Sequence, residues 1–317
     1  MARSLFSLPA PEEWPSVPGS EPLRFAAIDI GSNAVRLLFA HVYENPDQSI
    51  DVKKVNLVRM PLRLGDDAFT KGKLSEDREM ALTNTMLAFS YLIRVFDPIA
   101  TKACATSAMR EARNGLEIAM RIREKTGIGI EIIDGKTEAD YIFSNHIAEA
   151  LPGDRAYLYI DVGGGSTELT LFGNGVKFTS ESFNIGTIRL IDERVSDEEW
   201  TRLKNWVTRQ TGLFSKVTAI GSGGNINKIH RLAGRSDGES LSFKKFRETA
   251  SWLSGFSTQD LIRKLGLKPD RADVVLPASD IYLSIMKWGS IKEILVPQIG
   301  LSDGLIHVLY EEWKTRS

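Results

Sequence analysis

The strongest constraint on this chain is a segment that occurs twice. Residues 26–39 read AAIDIGSNAVRLLF, and residues 158–172 read LYIDVGGGSTELTLF. Each gives an apolar strand, an Asp, a Gly/Ser-rich turn and a second apolar strand. Asp29 and Asp161 lie 132 positions apart. The fold must hold two units of similar plan, and such units usually face each other across a ligand-binding cleft.

Strand and helix patterns alternate after each hairpin, which predicts an α/β class. In the first half, further strands are expected at 52–60, 101–105 and 128–133. A polar loop is expected through Gly65, Asp66, Asp67 and Gly72. Ser75 then caps a helix to about Phe96, with Leu82, Met86, Phe89, Ile93 and Phe96 on one face. Thr106 or Ser107 opens another helix, and Asp134-Gly135 turns into a third over 137–150. In the second half, strands are expected at 176–183, 216–220 and 293–296. Helices are expected near 187–193, 197–210, 225–233, 243–254, 274–287 and 303–313. The Leu151-Pro152-Gly153-Asp154 break divides the chain into domains 23–150 and 151–317. Pro-rich residues 1–22 read as a flexible arm outside the fold.

Charge and cysteine content exclude several functions. Forty Lys and Arg against 41 Asp and Glu leave a net charge of −1, which excludes a basic protein that coats nucleic acid. No window is apolar enough to span a membrane. Cys104 is the single cysteine, so an internal disulfide and a multi-cysteine metal site are excluded and a reducing, cytoplasmic setting is expected. From 200 to 271, 14 Lys and Arg face five acids, a local +9. Two readings stand: a solvated helical face, or a surface that attracts a polyanion.

The chemistry is concentrated at the turns. Ser32-Asn33 after Gly31, and Gly164-Gly165-Ser166 after Gly163, offer successive amides and hydroxyls to an anion. Gly223, Gly224 and Asn225 follow a strand and open a helix, an arrangement that suits a nucleotide or distal phosphate as well as a plain turn. Asp29, Asp161 and Glu168 stand beside these turns. Carboxylates at strand ends in a phosphate cleft suit Mg²⁺, and Asp29 equally suits a turn cap. Arg110 in the first turn of its helix suits a phosphate or a surface ion pair. Glu138, early in its helix, suits a general base or an ordinary helix-start acid. His41, His146, His230 and His307 show no metal or triad spacing.

Together these strings resemble the exopolyphosphatase/guanosine pentaphosphate phosphohydrolase (Ppx/GppA) family in its short, two-domain form. The resemblance rests on DIGSNAVRLL (29–38), ATSAMREARN (105–114), IIDGKTEA (132–139), DVGGGSTEL (161–169), SFNIGTIRL (182–190) and GSGGNINKI (221–229), with DVVLPASDIYLSIM (273–286) and GLSDGL (300–305). It implies duplicated ribonuclease-H-like domains of the actin-like ATPase superfamily with an interdomain cleft. It also implies Mg²⁺-dependent hydrolysis of the terminal phosphate of inorganic polyphosphate. Guanosine pentaphosphate, which would tie the chain to the stringent response, is the alternative substrate, and a non-catalytic phosphate or nucleotide sensor is the alternative of another class. Glu138 matches the residue that activates water, Asp161 and Glu168 the metal and water ligands, and Arg110 the arginine on the terminal phosphates. Ser32, Asn33, Gly164, Gly165 and Ser166 match the phosphate loops. Ala34 and Asp134 stand where the family often has Ser. Nucleic acid and membrane are not expected partners, and a homodimer is left open.

Overall fold

The computed structural model describes residues 21–145, 151–236 and 238–316. Almost all of the expected N-terminal arm, the end of the helix expected over 137–150, and His146 lie outside the described residues. Two sheets carry the fold. The first is ordered β3-β2-β1-β4-β5, from β1 (Leu23–Ile30), β2 (Val35–Glu44), β3 (Ile50–Met60), β4 (Ala100–Ala105) and β5 (Ile130–Ile132). The second is ordered β10-β11-β9-β6-β7-β8, from β6 (Ala156–Val162), β7 (Thr167–Gly173), β8 (Val176–Phe183), β9 (Val217–Ser222), β10 (Leu241–Ser242) and β11 (Glu293–Leu295).

The two sheets follow one plan. In each, the first three strands form an antiparallel meander, and two further strands add parallel to the first. The second sheet adds only β10, antiparallel on the edge. Even the irregularities repeat: the middle strand shifts register between Phe39 and Ala40 in one sheet, and between Leu171 and Phe172 in the other. Each pair stands the same distance beyond Asp29 or Asp161. This is the duplicated ribonuclease-H-like arrangement that the repeat and the resemblance led us to expect.

Each sheet has its own core. Helices Glu76–Phe96 and Gly115–Thr126 cover the first through Leu82, Met86, Phe89, Ile118 and Ile122. Ser75 accepts from the Arg78 amide as the expected cap. Helices Asp197–Thr211, Gly224–Leu232, Phe243–Leu253 and Val275–Trp288 build the second core. A third core lies between the sheets and joins Phe25, Leu38, Tyr159 and Phe172 to two exchanged helices. Helix Gly135–Phe143 follows β5 yet packs on β7 and β8, while helix Leu301–Lys314 follows β11 and packs on β1, β2 and β4. The exchange fixes the two halves against one another and aims both helix starts into the space between them.

Two expectations need correction. The polar stretch from Gly65 to Gly72 is a helix, Leu64–Lys71, closed by Gly72 at φ 66°. Its acids lie in the first turn, where the helix dipole favours them, and Leu64, Ala68 and Phe69 are buried. Arg110 does not open a long helix either. Its helix, Ser107–Glu111, has five residues and Arg110 lies in the last turn, where the dipole does not attract an anion.

Candidate active site

The turns after β1 and β6 are the same turn built twice. Gly31 N donates to Ala34 O at 3.1 Å, and Gly163 N donates to Ser166 O at 2.9 Å. They meet across the gap between the sheets and line one cleft with Ser32, Asn33, Gly164 and Ser166. A Cβ on Gly164 would lie 3.0 Å from that of Ser32. Ser32 Oγ shares a hydrogen bond with Ser107 Oγ at 2.8 Å. The third turn closes one side with Gly223, Gly224 and Asn225. Gly223 has φ 100°, which a residue with a side chain adopts only under strain.

The repeat diverges at one decisive pair. Asp29 lies opposite Arg36 in the first sheet, and Asp161 lies opposite Glu168 in the second. Arg36 Nη1 donates to Asp29 Oδ2 at 2.5 Å, so that half carries a neutralised pair. Burial opposes the Arg36 charge, but Asp29 outweighs it and holds the guanidinium pKa above its usual value. In the second half both members are acids. Glu138 joins them, and one oxygen from each of Glu138, Asp161 and Glu168 falls within 4.8 Å of the others. Gly135 permits this approach, because a Cβ there would lie 2.3 Å from Ser182 Oγ and 3.4 Å from Glu168 Oε1. Asp134, at the position where a Ser is usual, caps the helix by accepting from the Thr137 amide at 2.7 Å.

Three carboxylates this close cannot all ionise cheaply. Burial, then repulsion from Glu168, Asp161 and Asp29, pushes the Glu138 carboxyl well above its ordinary range. Burial and then Asp161 push Glu168 up to about 7. Burial is the first cause for Asp161 as well, raised to about 6 although Ser222 donates to it at 3.0 Å. Glu168 Oε1 accepts from Ser182 at 2.9 Å, whereas the buried Glu138 Oε2 has no hydrogen-bond partner among the described residues. Oxygen donors, converging charge and an unpartnered carboxylate oxygen fit a hard divalent cation such as Mg²⁺.

This predicts a pH effect with a definite sign. Folded pKa values of about 6 and 7 exceed the unfolded carboxylate values of roughly 4. The folded state therefore holds protons that the unfolded state has released, and stability falls as pH rises through that window. In chelator, the melting temperature should drop between about pH 4 and pH 8, and added Mg²⁺ should restore it at pH 8 and not at pH 4. Equal Mg²⁺ effects at both values would remove the metal from this cluster.

The cationic side of the cleft was not among the residues expected from the sequence. Arg36, Lys54, Arg59 and Arg271 line it. Arg59 ion-pairs with Asp270 and Lys54 with Asp303, so both pairs join the two halves. Burial, then Arg59 and Arg36, lowers Arg271 to about 10. Of the +9 stretch only Arg271 among its cations reaches this wall. Thr187, at the start of a five-residue helix, also lines the cleft. Three expected residues do not line the cleft wall themselves. Arg110 Nη1 donates to Ile133 O at 2.6 Å and is not in the cleft wall. Gly165 packs against Phe69 and Ser107. Glu168, 3% exposed, is absent from the wall but joins Glu138 and Asp161 through its buried carboxylate.

Comparison with known proteins gives a consistent picture. Residues 42–312 match the Ppx/GppA phosphatase family. Exopolyphosphatase 1 of Mycobacterium leprae is 23% identical over 307 residues, 90% of this chain and 88% of that protein. A bifunctional 3-dehydroquinate synthase/phosphatase of Fusobacterium nucleatum is 27% identical over 319 residues, 90% of this chain and 46% of that protein. Among solved structures, an exopolyphosphatase from Cytophaga hutchinsonii superposes with TM-score 0.78 at 23% identity, covering 91% and 98% of the two chains. The Aquifex aeolicus Ppx/GppA family member gives TM-score 0.73 at 23% identity, covering 92% and 99%. No helix among the described residues is long and apolar enough to cross a membrane.

Proposed function

We propose that this chain, which belongs to the Ppx/GppA phosphatase family, is a Mg²⁺-dependent exopolyphosphatase. It removes the terminal phosphate of inorganic polyphosphate. The observation that carries this reading is the division of one cleft into an acidic corner, Glu138 with Asp161 and Glu168, and a wall of cations, Arg36, Arg59 and Arg271. An acidic corner alone suits a metal, and a cationic wall alone suits an anion. Side by side they suit hydrolysis of a phosphoanhydride whose chain lies along the cations.

The residues divide the work. The amides and hydroxyls of Ser32, Asn33, Gly164 and Ser166 hold the phosphoryl oxygens at the meeting of the two turns. Glu138, in its ionised form, accepts the proton of the attacking water at Oε2. The water oxygen bonds to phosphorus, the bridging P–O bond breaks, orthophosphate forms, and the shortened chain leaves with the released negative charge. Asp161 and Glu168 would hold Mg²⁺, which would supply positive charge to offset that of the phosphoryl group. Arg110, whose charge acts on Glu138 and Glu168 from where it stands, contributes to holding the terminal phosphate.

Phosphate release from purified protein tests the reading, with polyphosphate and with guanosine pentaphosphate, each with and without Mg²⁺. Release from polyphosphate only with Mg²⁺ is expected. Release from the nucleotide alone would replace the substrate, and release from neither would make the chain a binding module. Asp161→Asn should raise the Mg²⁺ concentration for half-maximal rate by at least about 10-fold, as losses around metal ligands do. An unchanged titration would give Asp161 a structural role.

A further inference from the structure

A second charged groove lies at the opposite end of the second sheet. Strands β6, β9 and β11 run parallel, and their C-terminal ends carry Asp161 and Ser222 of the cleft. The groove lies at the N-terminal ends of β9 and β11, with Lys216 and Lys292 on its walls. Along β9 the two sites are separated by roughly 17 Å, at about 3.3 Å per residue. Lys244 and Lys287 line a hollow continuous with it through Ser242, Ser290 and Lys292.

The charge of this groove is compensated only in part: Asp154, held low first by its hydrogen bond to Arg155, also feels Lys216. None of the four lysines makes an ion pair among the described residues, while the one acid on the walls, Glu293, sits 3.9 Å from Arg155. Helices Asp197–Thr211 and Val275–Trp288 end here. Their carbonyl ends together bring about one negative charge, too little to neutralise four amines. Desolvated rings do not explain the site either. Trp288 meets Trp200 edge-on at 5.9 Å, and Phe214 stacks on Phe178 at 5.2 Å. With those rings engaged, bases would find little to stack on, whereas a chain of phosphates needs only the amines.

We propose that this groove is a second binding site for the distal part of a long polyphosphate chain, separate from the catalytic cleft. The proposal rests on polyphosphate being the substrate. It also gives part of the +9 stretch, Lys216 and Lys244, a place to act that the cleft does not provide. Lys287→Glu with Lys292→Glu tests it, since both side chains are exposed. Binding is measured in chelator with long-chain polyphosphate and with tripolyphosphate, and turnover is measured with Mg²⁺.

Long-chain affinity should fall by about 10-fold, with the salt dependence reduced by about one phosphate contact per lysine. Binding and hydrolysis of tripolyphosphate should not change. The control, Lys204→Glu with Lys245→Glu, makes the same charge change at exposed sites outside the groove and should leave long-chain affinity near wild type. Equal losses at both chain lengths, equal losses in the control, or no loss would overturn the site. So would a single-stranded oligonucleotide that competes as well as polyphosphate. If the chain-length effect on binding appears without any hydrolysis of polyphosphate, the groove stands and the proposed activity falls.

Discussion

Glu138→Gln should lower kcat by about 10²–10⁴ with little change in substrate binding, as the loss of a general base does. Glutamine keeps the shape and the hydrogen-bonding length but cannot accept the water proton. The same substitution should not destabilise the metal-free protein. Glu138 is 8% exposed, its Oε2 has no partner among the described residues, and burial and three neighbouring carboxylates oppose its charge. A neutral amide removes that opposition, so the melting temperature in chelator should hold or rise at pH 8. Activity and stability should therefore move in opposite directions. A residue that merely supports the fold would lower both, and wild-type turnover would remove Glu138 from the chemistry. Rapid-quench phosphate release beside a thermal melt gives the two readouts.

The repeat made one half of this site legible and hid the other. Alternating apolar strands around Asp29 and Asp161 predict the two turns, because burial on both faces of a central strand leaves a short apolar run that stops at the first polar functional group. Glu138 and its capped helix start could be placed for the same local reason. Arg36 was already in the duplicated segment, at the position of Glu168, and a residue-by-residue overlay of the repeat would have singled it out. Arg59 and Arg271 had no such signal. One sits on an outer strand and the other in the four-residue helix Pro269–Ala272, too short for any periodicity to mark. They meet only through the tertiary fold, where Arg59 pairs with Asp270 beside Arg271. The +9 stretch does not map onto one wall: among its cations Arg271 lines the cleft, while Lys216 and Lys244 line the groove at the opposite end of the second sheet. Its helices turn their lysines and arginines to different faces, so a sum over sequence does not describe one surface. Helix Leu64–Lys71 was obscured because its acids and flanking glycine read as a loop by composition, and of its buried residues just Leu64, Ala68 and Phe69 are apolar side chains, beside Gly65 and Asp67.

The exchange of the two interdomain helices was invisible in the sequence, and Gly304 is where it is most exposed to test. Gly304 lies inside helix Leu301–Lys314, and an added Cβ would stand 1.7 Å from the Tyr141 carbonyl oxygen and 3.2 Å from the Ile142 Cα. Two effects of Gly304→Ala oppose each other. Helix propensity favours alanine by about 1 kcal/mol. The contact is with backbone of the neighbouring helix, which has no rotamer to yield, so overpacking at the upper end of its usual range, about 3 kcal/mol, is expected. The clash should win, leaving a net loss near 2 kcal/mol and a melting temperature lower by several degrees. The neighbouring helix is the one that carries Glu138, three residues before Tyr141. Moving it by the tenths of an ångström to ångström needed to admit a methyl also shifts the carboxylate against Asp161 and Glu168, so kcat should fall about 10²-fold, a misplacement cost of the kind seen for reacting groups. A second alanine on the same helix at Ser302, which is buried at the cleft edge and gains no atom by the change, separates the causes. If Gly304→Ala stabilises the protein as propensity alone would, the two helices do not cross at this contact. If stability falls and kcat does not, the crossing holds the halves together without setting the position of Glu138.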